Sequence, residues 1–292
     1  MATVYRQRMA RAIRHIHQHL DGDLSLETLA GIAAFSPFHF HRQFAAHAGM
    51  TLNRYVQRVR LKRAAHWLAF RPDLSITQVA LECGYASPES FSRLFRQTIG
   101  QSPSAFRTAP DWAGWRHALA PMKQESSAMT SPFTAGQVRL VDFPPTRVAF
   151  LRHQGDPALI GDSIRRFIGW RRANRLPPAI SATFNIFHDD PDSVAPDAYR
   201  LDICAAITGP LAPNTVGVAE GSIPGGPCAV LRQVGAGDDL RAAAQFLYRQ
   251  WLPASGYEAR GFPLFAQRLR FFPDVPEDQA VTDLFLPLTA AA

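Results

Sequence analysis

The sequence of 292 residues predicts a multidomain protein: an all-α domain of two helical units, followed by an α+β domain of two strand-strand-helix-strand-strand repeats. Two observations predict this fold class. A pattern of helices in the first part of the chain returns after about fifty residues, and a pattern of short strands around one helix occurs twice in the second part. The strands are expected to form one antiparallel sheet with helices on one face.

The helical repeat is visible at matching positions. The sequence LSLETLA at residues 24–30 returns as LSITQVA at residues 74–80, and a Ser-Pro pair opens the second helix of both copies. Serine is a preferred N-cap, and proline suits the first helical position, where no N–H donor is needed. Gly49 and Gly100 can adopt the left-handed conformation that ends a helix. Each copy therefore predicts a helix, a tight turn and a second helix.

Two such helix-turn-helix units in tandem can read two stretches of DNA major groove. The second helix of each copy has an apolar face and an outward stripe at helical spacing. Arg42 and Arg93 occupy matching places in the two stripes, and a guanidinium can bond guanine O6 and N7 together. The predicted DNA contacts are Phe38, His39, His41, Arg42, Glu89, Ser92, Arg93 and Arg96.

One long helix is predicted between the units, from Thr51 to about Phe70. A helix of about eighteen residues spans roughly 27 Å, whereas adjacent major grooves on one face of B-DNA lie about 34 Å apart. A rigid spacer of this length requires bent DNA, or leaves one reading helix poorly seated.

Positive charge is concentrated in the helical part of the chain. Residues 1–120 contain fifteen Lys and Arg against seven Asp and Glu, whereas the remainder contains sixteen against seventeen. The formal net charge of +7 therefore comes from the helical part. A basic surface on a domain with helix-turn-helix signals is the electrostatic footprint of DNA phosphate binding.

Residues 76–95 follow the pattern IxxVAxxxGYxSxxSFxRxF, and the pattern continues to Arg107. It resembles the signature of AraC-type transcriptional regulators, and the resemblance covers about residues 8–108. The resemblance implies a seven-helix DNA-binding domain of two units, with reading helices that begin near Pro37 and Pro88. Pro88 and the following Glu89 depart from the polar residues that many relatives carry, so base contacts are expected first of all from the first unit.

The second part of the chain predicts two similar halves. The sequence RVAFLR at residues 147–152 returns as CAVLR at residues 228–232. Two such halves would leave a groove at their pseudo-twofold junction, which is a natural ligand site. The first half has predicted strands at 138–142, 147–153, 183–188 and 199–207 around a helix at 158–174, and the second has strands at 216–222, 228–234, 264–272 and 281–288 around a helix at 240–251.

Four short motifs in this part carry a second resemblance: FHDDP at 187–191, YRLD at 199–202, QWLPASGY at 250–257 and PDVP at 273–276. Together they resemble the GyrI-like effector-binding domain, over about residues 136–289. The resemblance implies a bowl for small molecules, often hydrophobic or cationic, lined by aromatic residues and one acidic residue.

The acidic residue that the GyrI-like family carries aligns with Ala266 in this sequence. Strand alternation puts Arg268 on the same side of the predicted strand as Ala266. If that side faces the groove, an anionic or neutral, largely apolar effector is favoured, because burying an unpaired cation is costly. The candidate effector-binding residues are Trp170, Phe184, Tyr199, Trp251, Ala266 and Arg268. The four aromatic residues could instead belong to the core.

The predicted boundaries are 1–110 for the DNA-binding domain, 111–135 for a linker and 136–290 for the effector-binding domain. Trp112 and Trp115, at the start of the linker, either pack it onto one of the domains or are exposed. No apolar run approaches the length of a membrane span and no signal peptide is visible, which favours a cytoplasmic protein. The three cysteines lack metal or redox spacing, and no phosphate loop, nucleophile elbow or zinc motif occurs. No cofactor or metal is therefore expected.

These observations predict a ligand-responsive, bacterial-type transcription regulator that is not an enzyme. Its expected partners are double-stranded promoter or operator DNA, a small-molecule effector and RNA polymerase. Two alternatives stay open. One is a GyrI-like hydrolase of small electrophiles fused to a DNA-binding domain, and the other is a constitutive DNA binder whose rear domain docks partner proteins.

Overall fold

The computed structural model describes residues 2–119, 133–191, 193–235, 240–271, 274–275 and 279–289. The chain divides into two compact units, Met1–Ala128 and Met129–Ala292. The first unit is helical and the second is built on an antiparallel sheet. The predicted fold class is confirmed.

The helical unit contains both predicted helix-turn-helix units, joined by one long helix. In chain order its helices are α1 (Ala2–Gln18), α2 (Leu26–Ala33), α3 (Pro37–Ala48), α4 (Leu52–Phe70), α5 (Ile76–Glu82), α6 (Pro88–Ile99), α7 (Pro103–Thr108) and α8 (Trp112–Leu119). The predicted reading helices are α3 and α6, and α4 lies between the two units.

The predicted end signals form the ends of α3 and α6. The Ser36 hydroxyl accepts a hydrogen bond from the His39 amide, and the Ser87 hydroxyl accepts one from the Ser90 amide. Gly49 and Gly100 end these helices with φ angles of 66° and 86°. Both reading helices are therefore fixed at the residues where serine-proline and glycine predict their ends.

Aromatic rings hold α8 against α4 and α7. The Trp112 ring stacks on Phe70 of α4 with centroids 5.6 Å apart, and it meets Phe106 of α7 edge-on at 5.6 Å. The predicted linker, 111–135, therefore begins as a packed helix of the first unit. Residues 120–132 of that linker lie outside the described residues.

The second unit is built on an eight-stranded antiparallel sheet. Its strands are β1 (Val138–Phe143), β2 (Thr146–Gln154), β3 (Thr183–Phe187), β4 (Arg200–Ala206), β5 (Ala219–Ile223), β6 (Gly226–Val234), β7 (Phe265–Arg270) and β8 (Val281–Pro287). Their order across the sheet is β1-β6-β8-β7-β3-β4-β2-β5. Strands β1 to β4 form the first half and β5 to β8 the second. Exchanging each strand for its counterpart in the other half reverses this order, so the two halves are related by a pseudo-twofold axis between β3 and β7.

Helices cover one face of the sheet, which we call the helix face. In the first half α9 (Ile160–Ala173) packs there, and in the second half α10 (Arg241–Phe246) does so. The second predicted helix is not a regular α-helix throughout, because a π-helical turn at Leu247–Trp251 separates α10 from α11 (Leu252–Ser255).

The opposite face carries a cluster of apolar strand residues from both halves. Four buried rings dominate it, and we call it the phenylalanine face: Phe143, Phe184, Phe265 and Phe285. The register places Phe184 opposite Gln267 and Ile186 opposite Phe265 across the central β3–β7 pair. The pseudo-twofold junction therefore lies in the middle of this face.

Candidate DNA-binding surface and effector-binding face

The outer side of α3 presents the four residues predicted to contact DNA in the first unit. Phe38 is 65% exposed, and His39, His41 and Arg42 are exposed as well. The Arg42 guanidinium lies over the Phe38 ring, 5.7 Å from its centroid. A cation–π contact of this kind holds an aromatic surface next to a fork of hydrogen-bond donors.

The outer side of α6 is more strongly charged. Glu89, Arg93 and Arg96 are exposed, and Ser92 is half-buried. Arg93, Arg96 and Ser92 line a surface cleft together with Gln97 and Ser102 at the start of α7. Guanidinium and hydroxyl groups of this kind suit phosphate oxygens, whereas a carboxylate at position 89 would repel them.

Two arginines of the spacer helix α4 have structural partners. Arg60 donates to the carbonyl oxygen of Leu20 at 2.9 Å, and Arg63 donates to that of His17 at 2.9 Å. Burial lowers the pKa of Arg63. These side chains tie the end of α1 and the turn that follows it to α4, so part of the basic excess of this unit stabilises the fold.

The structure separates the residues predicted to bind an effector. Trp170 and Tyr199 are buried on the helix face, where Trp170 stacks on Phe167 of α9 with centroids 5.6 Å apart. Burial raises the pKa of Tyr199 to about 12. Trp251 stacks on Tyr257 with centroids 6.2 Å apart, beside the helix-face cluster of the second half.

Ala266 also lies on the helix face, in the cluster that α10 covers. Arg268 has the same strand parity and donates from Nε to Oδ1 of Asn185 at 2.9 Å. The condition that Ala266 and Arg268 face the groove is therefore not met, and of the six candidates Phe184 alone lies on the phenylalanine face. The alternation of side chains along β7 does not tell which set faces the helices, because Phe265 and Ala266 are both fully buried.

The rings of the phenylalanine face are in direct contact. Phe265 and Phe285 stack with centroids 4.8 Å apart, and Phe143 packs edge-on against them at 4.9 and 5.2 Å. Phe184 meets Phe143 at 6.0 Å. The centre of this face is thus an aromatic floor contributed by strands of both halves.

An ion-pair cluster flanks this floor in the first half. Arg152 donates from Nε and Nη2 to the two carboxylate oxygens of Asp202, at 2.7 and 2.8 Å. His188 Nε2 lies 2.7 Å from Asp202 Oδ2. Burial would raise the pKa of Asp202, but the hydrogen bonds from Arg152 and His188 lower it below its usual value. The carboxylate is therefore held ionised although only 3% of the residue is exposed.

A second cluster flanks the floor in the other half. Arg232 donates from Nε and Nη2 to the two oxygens of Asp283, both at 2.7 Å. Arg139 Nη2 approaches Asp283 Oδ2 at 3.5 Å. The hydrogen bonds to Asp283 raise the pKa of Arg232.

The two clusters are related by the pseudo-twofold axis. Arg152 and Arg232 occupy matching places in β2 and β6, and Asp202 and Asp283 do so in β4 and β8. Strands β3 and β7 lie between the two carboxylates, which places them about three strand spacings apart, on the order of 14 Å. The equivalence of the two arginines is visible in the sequence, since Arg152 and Arg232 end the repeated stretches at 147–152 and 228–232.

The described residues offer no cluster of three or more His, Cys, Asp or Glu side chains that could hold a metal ion. Cys83, Cys204 and Cys228 are buried, and burial raises the pKa of each thiol, that of Cys83 to about 12. Thiols of this kind are poor nucleophiles at neutral pH. Within the part of the chain that the structure describes, every helix is too short or too polar to cross a membrane.

Two regions of the chain match known protein families. Residues 136–289 match the GyrI-like small molecule binding domain, and residues 29–109 match a helix-turn-helix domain. The probable transcriptional regulator YgiV of Escherichia coli K12 is 39% identical over 152 residues, which are 52% of this chain and 95% of that protein.

The helical part of the chain is similar to other transcription regulators than YgiV. The transcriptional activator RhaS of Escherichia fergusonii is 38% identical over 104 residues, which are 36% of this chain and 37% of that protein. The chain thus spans about a third of that relative. The DNA-binding domain of the global transcriptional factor AdpA, solved in complex with a target DNA, is 31% identical with a TM-score of 0.34, and the match covers 35% of this chain and 91% of that domain.

Proposed function

The chain belongs to the GyrI-like small molecule binding domain family and is an AraC-type DNA-binding transcription regulator, and we propose that its effector is a small, largely apolar molecule without a positive charge. We place the effector on the phenylalanine face. The observation that carries this proposal is the aromatic floor of that face, flanked by two arginine–aspartate clusters. This site replaces the set predicted around Ala266 and Arg268, which lies on the helix face.

The chemistry of the face supports such a ligand. Apolar floors with a few placed polar groups are the usual form of small-molecule sites. Both buried carboxylates already accept two hydrogen bonds from an arginine, so a cationic ligand would have to displace a guanidinium to gain a counter-ion. Neutral and anionic molecules do not meet this cost.

At the DNA, we propose that α3 reads bases and that α6 contributes mostly phosphate contacts. The exposed Phe38 and Arg42 support base reading by α3, because an apolar ring suits a thymine methyl group and a guanidinium suits guanine. The cleft around Arg93 and Arg96 supports phosphate binding by α6. Such a regulator would act on RNA polymerase at a promoter, in the cytoplasm, and would not depend on catalysis.

Titration of the full-length chain with neutral aromatic probes tests the effector site. Calorimetry with 2-naphthylacetamide should show saturable binding, and Phe184→Leu should weaken it severalfold because the floor loses a ring. Trp170→Phe is the matched control on the helix face, and it should leave the affinity unchanged. A folded chain that binds no aromatic probe, or one in which only the Trp170 variant loses binding, would refute the proposed site.

Hydrolysis is the rival activity to exclude in the same samples. The chain should leave activated aryl esters and epoxides unchanged beyond the rate of buffer alone, when product formation is followed by chromatography. Turnover that Phe184→Leu abolishes would instead make the phenylalanine face an active site.

A further inference from the structure

The two ion-pair clusters of the phenylalanine face differ in charge. Arg139 of β1 lies opposite Val230 of β6, and the matching pair in the other half joins Ala219 of β5 to Phe150 of β2. Arg139 therefore stands where the pseudo-twofold repeat has an alanine. The Asp283 cluster contains two guanidinium groups around one carboxylate, whereas the Asp202 cluster contains one guanidinium and a histidine.

The extra guanidinium is weakly held. Arg232 occupies both oxygens of Asp283 at 2.7 Å, so Arg139 is left with a single 3.5 Å approach to Oδ2. The Arg139 side chain is 55% exposed, and a guanidinium carries five N–H donors. An ion pair this long and this exposed contributes little. Within the part of the chain that the structure describes, Arg139 and Arg232 thus share the single carboxylate of Asp283, and this cluster keeps a net positive charge.

The position of Arg139 suits the head group of a ligand that lies on the floor. In the sheet register, Arg139 pairs with Val230, Val230 pairs with Phe285, and Phe285 pairs with Phe265. Two strand spacings separate Arg139 from Phe285, which is about 10 Å. A bicyclic ring with a short acidic side chain covers a comparable length, so its ring could rest on the floor while its carboxylate reaches Arg139.

We propose that the effector is an aromatic carboxylate whose acid group is bound by Arg139, with Arg232 beside it. This inference rests on the proposed effector site and names its ligand class. A carboxylate can take two parallel hydrogen bonds from one guanidinium, and it supplies the counter-charge that the Asp283 cluster lacks. In the Asp202 cluster the charge of the carboxylate is already neutralised by Arg152, so this cluster lies beside the neutral end of the ligand.

Three matched probes test this proposal on the full-length chain: 2-naphthylacetate, 2-naphthylacetamide and 2-(2-naphthyl)ethylammonium. Calorimetry should rank the acid above the amide and the amide above the ammonium. Arg139→Gln should weaken the acid about tenfold and leave the amide unchanged, because it removes one charge-assisted contact. Arg147→Gln is the control, since it removes an arginine that pairs with the exposed Glu220. It should change none of the affinities.

The outcomes separate this inference from the proposed function. Equal affinity for acid and amide, with no effect of Arg139→Gln, overturns the carboxylate assignment while the effector site stands. A preference for the ammonium overturns it as well. If no probe binds the folded chain, the effector site itself fails and the ligand class fails with it. Equal losses in the Arg139 and Arg147 variants would show a general charge effect and would also count against the proposal.

Discussion

Arg42 and Arg93 hold matching places in the two reading helices, yet their surroundings differ. Arg42 lies over the exposed ring of Phe38, whereas Arg93 lines a cleft with Arg96 and Ser92. The repeat in the sequence predicted both arginines as exposed, and the structure confirms their exposure. Their neighbours depend on which side chains meet across a helical turn, and so the difference in chemistry emerges only in the folded unit.

Arg42→Ala should lower affinity most strongly for operators that keep one particular base. Loss of a bidentate base contact costs about 1–3 kcal/mol and relaxes the preference at that position. Lys62→Ala on the spacer helix should weaken all sequences alike, if it changes binding at all. Fluorescence anisotropy with a panel of single-base operator variants measures both effects. An equal loss on every sequence for Arg42→Ala would contradict base reading by this residue.

Asp202 should make the stability of the second unit depend on pH in the acidic range. Its pKa is below the usual value in the folded chain, so its contribution is fully present above the unfolded pKa and disappears as pH falls through the folded pKa. Asp202→Asn should lower the unfolding free energy by about 1–3 kcal/mol at neutral pH and by less toward pH 3. Urea unfolding of both proteins between pH 7 and pH 3 checks this. A constant difference across that range would show that the Asp202 charge does not contribute.

The limits of sequence reading are clearest at two residues of β7. Alternation correctly separates Phe265 from Ala266, but both are fully buried, Ala266 in the cluster that α10 covers and Phe265 among the other rings of the phenylalanine face. Hydrophobicity therefore gives no sign of which set faces the helices. Asp202 and Asp283 lay within recognisable strands, yet their role follows from the pairing of β2 with β4 and of β6 with β8. Pairing of that kind is a long-range property that spacing alone does not reveal.

Among the elements, α8 shows what composition can miss. The pair Ala109-Pro110 predicts the end of the helical region and residues 121–135 are polar, so the sequence predicts a linker from residue 111 and leaves open whether Trp112 packs. Trp112 packs α8 into the helical unit, because its ring contacts both Phe70 of α4 and Phe106 of α7. The capped helices α3 and α6, in contrast, carry their end signals locally and were predicted at their observed starts.

Trp112→Ala should destabilise the helical unit by about 3–5 kcal/mol, the usual cost of removing a buried tryptophan. His117→Ala, an exposed change in the same helix, should stay within about 0.5 kcal/mol. Thermal unfolding followed by circular dichroism at 222 nm compares the two variants. If both unfold like the parent chain, α8 is not part of the stable core of this unit.

At the scale of the whole molecule, the order of elements was predictable because each unit is a repeat. Two copies of helix-turn-helix and two copies of strand-strand-helix-strand-strand appear in the sequence, and the sheet order reverses on exchange of its halves. The exchange of edge strands was not predictable. Strand β1 pairs with β6 and β5 pairs with β2, so each half is completed by the first strand of the other. Only this crossing brings Arg139 to Asp283.

The proposed regulator requires that its two units be energetically coupled. Linkage then demands that ligand change DNA affinity by the same factor as DNA changes ligand affinity, and typical coupling of 1–3 kcal/mol corresponds to about 5–150-fold. The effect of 2-naphthylacetate on the affinity for a selected operator fragment can be compared with the effect of that fragment on the affinity for 2-naphthylacetate. The Arg139→Gln variant is the control, because its ligand binding is expected to be weaker.

The most direct test is the affinity of the full-length chain for a selected operator, measured by anisotropy without ligand and with saturating 2-naphthylacetate. We expect specific, salt-dependent binding whose dissociation constant changes about fivefold or more when ligand is bound, with the reciprocal change in ligand affinity. The Arg139→Gln chain should need a higher ligand concentration for the same change. Identical DNA affinity with and without bound ligand would contradict a ligand-responsive regulator.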